Sequence, residues 1–203
     1  LSFEDALSIV KVRSEGMQAA GESQTGTMAA ILNMSRKDIT KVCKHASLRG
    51  IVQAANYNSP GQIVISGETV AVHYAMEIAK NLGARKALAL NVSGAFHSPL
   101  MAPAKDDLSV IIEKTKFKKA KVPVVANVDA SPTSDPAKIK NNLIEQLENP
   151  VLWEDTVQYM VKDGVEEIVE IGPGKVLQGL VKRIHRDMPT GGVANQEQLE
   201  VIS

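Results

Sequence analysis

Residues 51–66 read Ile51-Val52-Gln53-Ala54-Ala55-Asn56-Tyr57-Asn58-Ser59-Pro60-Gly61-Gln62-Ile63-Val64-Ile65-Ser66, and they set the architecture of the chain. Two runs of strand-forming residues, 51–57 and 62–66, flank a cluster of residues that favour a turn, Asn58-Ser59-Pro60-Gly61. The segment therefore predicts two consecutive strands joined by a tight turn.

The sequence on either side of these two strands alternates between further strands and helices. Apolar patterning predicts strands over 27–32 and 87–92, and helices over about 35–48 and 68–82. The order of elements over 27–92 is therefore β-α-β-β-α-β. This order is the split βαβ arrangement of a ferredoxin-like subdomain.

The rest of the chain predicts mostly helices with a few strands between them. Helices are predicted over 3–20, 99–115, 136–147, 152–162 and 175–187, and strands over 121–127 and 166–171. The first of these strands is expected to be short and buried. Strands that alternate with helices suggest a parallel α/β sheet. The polar tail from Pro189 is expected to be loosely held.

Composition excludes several classes of protein. Apolar residues make up 44% and charged residues 23% of the 203 residues, as in globular domains. A chain of this length buries roughly 70% of its unfolded surface, so the core needs no metal or disulfide. No run approaches about 18 consecutive apolar residues, so no membrane span is expected. Lys plus Arg and Asp plus Glu both number 23, and this zero net charge argues against nucleic acid as a partner.

Cysteine and histidine usage argues against a metal site. The single cysteine, Cys43, excludes an internal disulfide and fits a reducing compartment. It is interpreted as a small buried side chain. The four histidines are scattered without the spacing of metal ligands. His45, His73 and His185 lie on predicted helix faces and are expected to be solvated or to pack.

Arg13 is the first candidate for a functional residue. It lies in the middle of an apolar stripe of the first helix that comprises Ala6, Ile9, Val10 and Met17. A guanidinium facing a core costs several kcal/mol unless an anion accompanies it. The anion could belong to an internal Asp or Glu, the side chain could reach the surface, or a ligand carboxylate could fit its planar fork.

His97 is the second candidate. It lies in a short loop, within residues 91–101, after a predicted strand and before a predicted helix. Functional sites of α/β proteins are built at that edge of the sheet. The alternative interpretation is a loop histidine that is hydrogen-bonded to the backbone.

Gly172-Pro173-Gly174-Lys175 could suggest a phosphate-binding loop, but the residues that follow do not fit. A Walker A motif needs Ser or Thr where Val176 stands, and the dinucleotide motif needs Gly where Leu177 stands. We interpret the segment as a tight turn from strand to helix.

Taken together, six segments resemble the malonyl-CoA:acyl-carrier-protein transacylase family over residues 1 to about 187. They are residues 1–6, Arg13 with Met17-Gln18, and residues 56–67, 94–101, 145–153 and 170–177. The resemblance implies a partial α/β-hydrolase-like acyltransferase domain with an inserted ferredoxin-like subdomain. Residues 1–26 and 93–203 would belong to the large part, and residues 27–92 to the small one.

The resemblance also implies an activity. The family transfers a malonyl group from malonyl-CoA to an active-site serine, and then to the phosphopantetheine thiol of acyl carrier protein, in fatty acid biosynthesis. The expected partners are therefore malonyl-CoA and acyl carrier protein, with no nucleic acid and no membrane. No cofactor is expected, because the coenzyme A thioester is a substrate, and the expected location is cytoplasmic.

The resemblance implies roles for particular residues. His97 corresponds to the general base, and the main-chain carbonyl of Gln146 orients its second ring nitrogen. Arg13 corresponds to the residue that binds the malonyl carboxylate, which would supply the anion that a buried arginine needs. The remaining assignments from the resemblance are Met17, Asn56, Asn58 and Phe96 as lining of the active site. Lys182, Arg183 and Arg186 form a basic run on a predicted helix, which is either a solvated face or a docking surface for an acidic partner, here the carrier protein.

One departure from the family affects what this chain can do alone. The family nucleophile lies in a Gly-x-Ser-x-Gly turn before the position of Leu1, and no such pattern occurs in the 203 residues. We therefore expect a C-terminal portion that is inactive alone and that is marginally stable or self-associates. The alternatives are a non-catalytic module that binds acyl carrier protein or acyl-CoA, and an acyltransferase domain of a polyketide synthase.

Overall fold

Residues 1–202, the part of the chain that this computed structural model describes, form eight α-helices and eight strands. The helices are α1 (Phe3–Ser23), α2 (Arg36–Ala46), α3 (Thr69–Asn81), α4 (Lys105–Lys114), α5 (Pro136–Glu145), α6 (Trp153–Lys162), α7 (Val176–Ile184) and α8 (Gln196–Ile202). The strands are β1 (Gly26–Leu32), β2 (Val52–Ser59), β3 (Gln62–Glu68), β4 (Lys86–Ala89), β5 (Val124–Val125), β6 (Pro132–Thr133), β7 (Ile168–Ile171) and β8 (Thr190–Val193). Short 3₁₀ helices occupy Ser47–Arg49 and Pro99–Ala104.

Strands β1 to β4 form one antiparallel sheet in the order β2-β3-β1-β4. The two strands predicted around residues 51–66 are β2 and β3. Their turn is tighter than predicted, because β2 continues to Ser59 and leaves only Pro60 and Gly61 between the strands. Gly61 has a φ of 71°, in the left-handed region that glycine adopts without a Cβ clash. The elements over 27–92 follow the predicted β-α-β-β-α-β order.

Helices α2 and α3 pack against this sheet and enclose the first apolar cluster. Helix α2 begins after Ser35, whose Oγ accepts a hydrogen bond from the Asp38 N–H at 3.1 Å. Ile39 and Ile65 are fully buried in the cluster, and burying a side chain of this size contributes roughly 1.5–3 kcal/mol. Cys43 lies in the same cluster, and burial raises the pKa of its thiol to about 12. Its prediction as a small buried side chain is confirmed.

Helix α1 packs against the segment that follows the sheet. Its predicted start is confirmed, since the Ser2 Oγ accepts a hydrogen bond from the Asp5 N–H at 3.1 Å. Ile9 and Ala20 are buried in a second apolar cluster. The other buried members of that cluster are Met101, Ala104, Leu108, Ile112 and Leu147. The cluster therefore joins α1 to the elements that follow β4.

A glycine lets α1 lie directly against the loop after β4. A Cβ atom at Gly21 would stand 2.5 Å from the Ser93 carbonyl oxygen and 3.3 Å from the Cα atom of Gly94. No side chain fits there unless the backbone moves. This close approach brings α1, which carries Arg13, beside the loop that carries His97.

The predicted inward stripe of α1 is wrong at one position. Val10 is 59% exposed, because the helix packs through Ile9 and Ala20 rather than through the side that carries Val10. Phe3 and Leu7 are exposed as well, at 77% and 58%. Helix α1 therefore carries an apolar strip, Phe3, Leu7 and Val10, that faces outward in the part of the chain described.

The predicted buried strand over 121–127 is also wrong. Only Val124–Val125 form a strand, and it pairs antiparallel with the two-residue β6. Val122 is 70% exposed. Pro123 has no N–H to donate to a sheet, which limits the strand to the two residues after it.

The tail from Pro189, predicted to be loosely held, contains a strand and a helix within residues 190–202. Strand β8 pairs in parallel with β7 and buries Val193, and α8 follows it. The local sequence of this segment has no apolar pattern that predicts a strand. The strand forms because it pairs with residues about twenty positions earlier in the chain.

Two further element boundaries differ from the predictions. The predicted helix over 99–115 begins as a 3₁₀ helix, since Pro99 and Pro103 have no N–H for α-helical hydrogen bonds. The predicted strand over 87–92 ends at Ala89. Among the described strands, parallel pairing is confined to β7 and β8, so the predicted parallel sheet is present only as this pair.

None of the helices in residues 1–202 combines the length and the apolar character that crossing a membrane would need. The same residues contain no group of three or more His, Cys, Asp or Glu side chains placed to hold a metal ion.

Candidate active site

The loop that carries His97 is fixed by its own serine. The Ser98 Oγ donates a hydrogen bond to the Ala95 carbonyl at 2.6 Å and accepts one from the Leu100 N–H at 3.3 Å. Ser98 is buried, and it caps the 3₁₀ helix that Pro99 begins. The preceding residue, His97, has a φ of 58°, a left-handed conformation that is uncommon for a residue other than glycine. The loop thus holds His97 in a defined and costly backbone conformation.

The imidazole of His97 is bound to the main chain of another segment. Its Nδ1 atom lies 2.8 Å from the carbonyl oxygen of Gln146. A carbonyl only accepts hydrogen bonds, so the neutral ring carries its proton on Nδ1 and leaves Nε2 as the basic nitrogen. The carbonyl is available because Gln146 ends α5, where the last carbonyls of a helix have no partner within the helix.

The surroundings of His97 favour its neutral form. Burial lowers the pKa of the imidazole, and the positive charge of Arg13 lowers it further. The carbonyls of Gln146 and Asn149 oppose this, since they favour the protonated ring. The net pKa lies below the usual value, and the ring is therefore a base at neutral pH. The other three histidines are exposed.

Arg13 is partly buried on α1 and has no counter-ion in the described part of the chain. No hydrogen bond or ion pair to its side chain occurs among residues 1–202, so the internal ion pair that the sequence left open is not formed. Burial lowers the pKa of its guanidinium. Its positive charge lowers the pKa of His97, so the two residues lie within electrostatic reach of each other. A partly buried and unpaired guanidinium is suited to bind an anionic ligand.

Met17, about one helical turn after Arg13 on α1, and Phe96, the residue before His97, share one apolar cluster. Both pack against the second apolar cluster, which also contains Leu147, the neighbour of Gln146. Phe96 also contacts a third apolar cluster, on the sheet, whose buried members are Met28, Ala55 and Val64. Phe96 therefore joins the sheet to the core around α1.

Asn56 and Asn58 lie on β2. Asn56 stands opposite Val64 and forms a bridge with Val151, five residues after Gln146. Irregular pairing precedes Asn56 and surrounds Asn58. Both side chains are partly buried, and among residues 1–202 neither side-chain amide has a hydrogen-bond partner. The backbone of Asn56 is therefore tied to the segment after Gln146, whereas among residues 1–202 no hydrogen bond joins Asn58 to His97.

Lys182 and Arg183 lie elsewhere, on α7, and both are engaged with other residues. The Lys182 Nζ atom donates a hydrogen bond to the Met188 carbonyl at 2.6 Å. The Arg183 guanidinium donates to the side chain of Gln62 and lines, with Arg85, an open cavity of about 600 Å³. The structure therefore gives these two basic residues local roles, and their predicted part in docking stays a prediction.

The glycine-rich turn before α7 is a strand-to-helix connection, as predicted. Gly172 and Gly174 have φ values of 143° and 93°, and β7 and α7 flank them. The Glu170 carboxylate accepts hydrogen bonds from the N–H groups of Leu177 and Gln178, at 3.1 and 3.2 Å. A carboxylate of the chain itself therefore occupies the position where a phosphate would bind.

Sequence reasoning missed two residues that connect distant segments of the chain. The Gln53 side chain bridges the main chain of His97 and that of Glu148. The Arg36 guanidinium donates to Asp155 at 2.8 Å and to Glu154 at 2.9 Å, which ties α2 to α6. Nothing in the sequence marks Gln53, because its partners are main-chain atoms 44 and 95 residues away. The sequence shows Glu154 and Asp155 as neighbouring acidic residues, but nothing in it indicates that Arg36, 118 and 119 residues away, is their partner.

The candidate site thus combines a histidine that burial keeps neutral with an unpaired guanidinium within electrostatic reach of it. The histidine can accept and return a proton, and the guanidinium can bind a carboxylate. Such a pair is suited to proton transfer on a substrate that carries a negative charge.

Comparison with known proteins finds matches over nearly the whole chain. A family model described as "Acyl transferase domain" matches residues 1–202. A relative from Bacillus subtilis (strain 168), "Malonyl CoA-acyl carrier protein transacylase", is 45% identical over 202 residues, which are 99% of this chain and 64% of that protein. The chain therefore spans about two thirds of the length of this relative.

Solved structures agree in fold over the same extent. An acyl carrier protein S-malonyltransferase from Vibrio cholerae is 40% identical with a TM-score of 0.94, over 100% of this chain and 66% of that one. A structure titled "type II PKS acyl-carrier protein in complex with its malonyl-transacylase" is 39% identical with a TM-score of 0.92. That match covers 99% of this chain and 65% of the other.

Proposed function

The chain belongs to the acyl transferase domain family, and we propose that it takes part in transferring a malonyl group from malonyl-CoA to acyl carrier protein. The transfer would pass through a seryl ester and serve fatty acid biosynthesis. The observation that carries the proposal is the 2.8 Å contact between His97 Nδ1 and the Gln146 carbonyl, which frees Nε2 to act as a base. The names of the relatives support the choice of substrate and acceptor.

In the first half of the reaction, His97 Nε2 takes the proton of the serine hydroxyl while the serine oxygen attacks the thioester carbon of malonyl-CoA. The carbon–sulfur bond then breaks, and the protonated ring returns the proton to the departing thiolate of coenzyme A. In the second half, Nε2 takes the proton of the carrier thiol while its sulfur attacks the carbonyl carbon of the seryl ester. The bond between that carbon and the serine oxygen then breaks, and the ring returns the proton to the serine oxygen. The Gln146 carbonyl keeps the ring in one tautomer through both halves.

Arg13 selects the substrate in this proposal. The malonyl carboxylate would supply the anion that Arg13 lacks, and a carboxylate matches the planar fork of a guanidinium. An acetyl group offers no such anion and would leave a partly buried charge unpaired. We therefore assign Arg13 to binding the free carboxylate of the malonyl group, and Met17, Asn56, Asn58 and Phe96 to the lining of the same site.

The proposal needs a nucleophile that these residues do not contain in the expected motif. No Gly-x-Ser-x-Gly pattern occurs among the 203 residues, and the chain spans 64% of the Bacillus subtilis relative. We assign the serine and the oxyanion hole to polypeptide outside these 203 residues. The alternative is a non-catalytic module that binds acyl carrier protein or acyl-CoA.

For the fold, we propose a ferredoxin-like subdomain over residues 27–92. It would be inserted into an α/β-hydrolase-like domain to which residues 1–26 and 93–203 belong. The antiparallel strand order β2-β3-β1-β4 supports the first assignment, and the parallel pair β7 and β8 supports the second.

Lys182 and Arg183 would contact the acidic carrier protein at the surface. No cofactor is proposed, and the buried Cys43 thiol suits a reducing cytoplasm.

The test is a transfer assay on the product of the whole open reading frame in which these codons lie. Malonyl transfer from malonyl-CoA to the phosphopantetheinylated carrier protein is measured for the unaltered protein, for His97→Ala and for His73→Ala. We expect His97→Ala to lower kcat by about 100- to 10,000-fold, because it removes the general base. His73 is exposed on α3, so its variant serves as the matched control and should keep full activity.

Two results would count against the proposal. Full activity of His97→Ala would remove the role given to the histidine. Binding of the carrier protein without any transfer by the unaltered protein would instead favour the non-catalytic module.

A further inference from the structure

The side-chain amide of Gln53 connects the two segments that form the histidine site. Gln53 lies partly buried on β2, and its Nε2 atom donates to the His97 carbonyl at 2.9 Å and to the Glu148 carbonyl at 2.8 Å. An amide nitrogen has two hydrogens, so both are used. Because both partners are carbonyl oxygens, which only accept hydrogen bonds, the nitrogen rather than the oxygen of the amide must face them.

The two carbonyls belong to the segments that also carry the ends of the His97–Gln146 hydrogen bond. One is the carbonyl of His97 itself, and the other is two residues after Gln146. Since the amide is planar, it holds the two carbonyls at a set separation. It therefore limits how far the imidazole can move from the Gln146 carbonyl.

Other contacts fix the second segment but do not reach the histidine main chain. Lys105 Nζ pairs with the Glu148 carboxylate at 2.9 Å and with Glu145 at 3.0 Å. The Val151 main chain exchanges hydrogen bonds with β2, at 2.8 and 2.9 Å. Among residues 1–202, the hydrogen bond to the His97 carbonyl comes from Gln53. Because His97 has a left-handed backbone, this support also offsets a local strain.

We propose that Gln53 is a positioning residue, which keeps the neutral His97 ring in the Nδ1–H tautomer by clamping its main chain to the segment after Gln146. It touches no reacting atom. Its effect on the rate of acyl transfer rests on the proposed function, whereas its effect on the tautomer does not.

The test reads the tautomer directly. The protein is labelled with ¹⁵N-histidine, and the ring nitrogen shifts of His97 are recorded by NMR at a pH above its pKa, with the signal assigned by its loss in His97→Gln. Three forms are compared: the unaltered protein, Gln53→Met, which keeps the length of the side chain but has no donor, and Gln158→Met. Gln158 is exposed on α6 and is a matched control, since within residues 1–202 its side chain hydrogen-bonds only with Glu154.

We expect the Nδ1–H tautomer in the unaltered protein and in the control. In Gln53→Met the fraction of this tautomer should fall toward the Nε2–H form that an unrestrained histidine prefers. In the transfer assay kcat should fall by about 10- to 100-fold in Gln53→Met, the size of effect that slight misplacement of a catalytic group produces. If Gln53→Met does not fold, Gln53→Glu is compared in the same way, because an ionised carboxylate has the same shape and no hydrogen to donate.

An unchanged tautomer in a folded Gln53 variant would overturn the proposal. The proposed function would fail with a different result. Gln53→Met would still shift the tautomer, whereas the unaltered protein would transfer no malonyl group. The two failures can therefore be told apart.

Discussion

His97 and Gln146 are separated by 49 residues in the sequence, and their side chain and main chain meet at a Nδ1–oxygen distance of 2.8 Å. A neutral carbonyl holds this histidine where many hydrolytic enzymes use a carboxylate. The carbonyl fixes the tautomer, but it stabilises the protonated ring less than a charged partner would. Burial and the charge of Arg13 act in the same direction, so the ring is kept in its basic form.

This arrangement predicts how the activity of the whole protein depends on pH. Burial lowers the pKa of His97 below its usual value of about 6.5, and the active form is the deprotonated ring. Lowering the pH through that pKa protonates the base, so kcat/KM for malonyl-CoA should be constant near neutrality and fall on the acid side, with a midpoint below 6.5. The measurement is a pH–rate profile between pH 5 and 8. A midpoint above about 7 would contradict the placement of His97 in a buried site beside a cation.

The contact between α1 and the loop after β4 predicts an effect on stability. Gly21→Ala places a Cβ 2.5 Å from the Ser93 carbonyl oxygen, so the free energy of unfolding should fall by about 1–3 kcal/mol. Gly179→Ala is the matched control, because it is a helical glycine with no atom within 4 Å of the added Cβ. That variant should be stabilised by about 0.5–1 kcal/mol. Urea unfolding of both variants makes the comparison, and equal effects would show that α1 does not depend on this close approach.

Local sequence patterns predicted the helices over 3–20 and about 35–48 and the strands around the Pro60-Gly61 turn, because capping and turn residues act within a few positions. They did not predict the strand β8, since its pairing with β7 is not local and Thr190–Val193 contains two glycines. The same limit applies to the site. The candidates Arg13 and His97 could be selected from the sequence, whereas Gln53 could not, because nothing near it in the chain marks its distant main-chain partners.

The exposed apolar surface predicts how the 203-residue chain behaves when purified alone. Phe3 on α1 is 77% exposed, and Ile171 and Val176 are 76% and 70% exposed near the β7–α7 turn. Several large exposed apolar side chains of this kind favour association. We expect the apparent mass in sedimentation experiments to rise with protein concentration, and Phe3→Glu together with Leu7→Glu to reduce that rise. A chain that stays monomeric over a hundredfold range of concentration and melts cooperatively would contradict this.

The central claim is that His97 and Arg13 form one site in which Arg13 binds the substrate carboxylate. The most direct measurement compares kcat/KM for malonyl-CoA and acetyl-CoA in the whole protein and in Arg13→Ala, with Lys11→Ala, an exposed cation on the same helix, as the control. Loss of a charge-assisted, two-pronged contact should lower kcat/KM for malonyl-CoA by about 100-fold or more, while acetyl-CoA changes by less than about 3-fold. Equal losses on the two substrates would contradict the claim, because Arg13 would then act on the fold or on the base and not on the carboxylate.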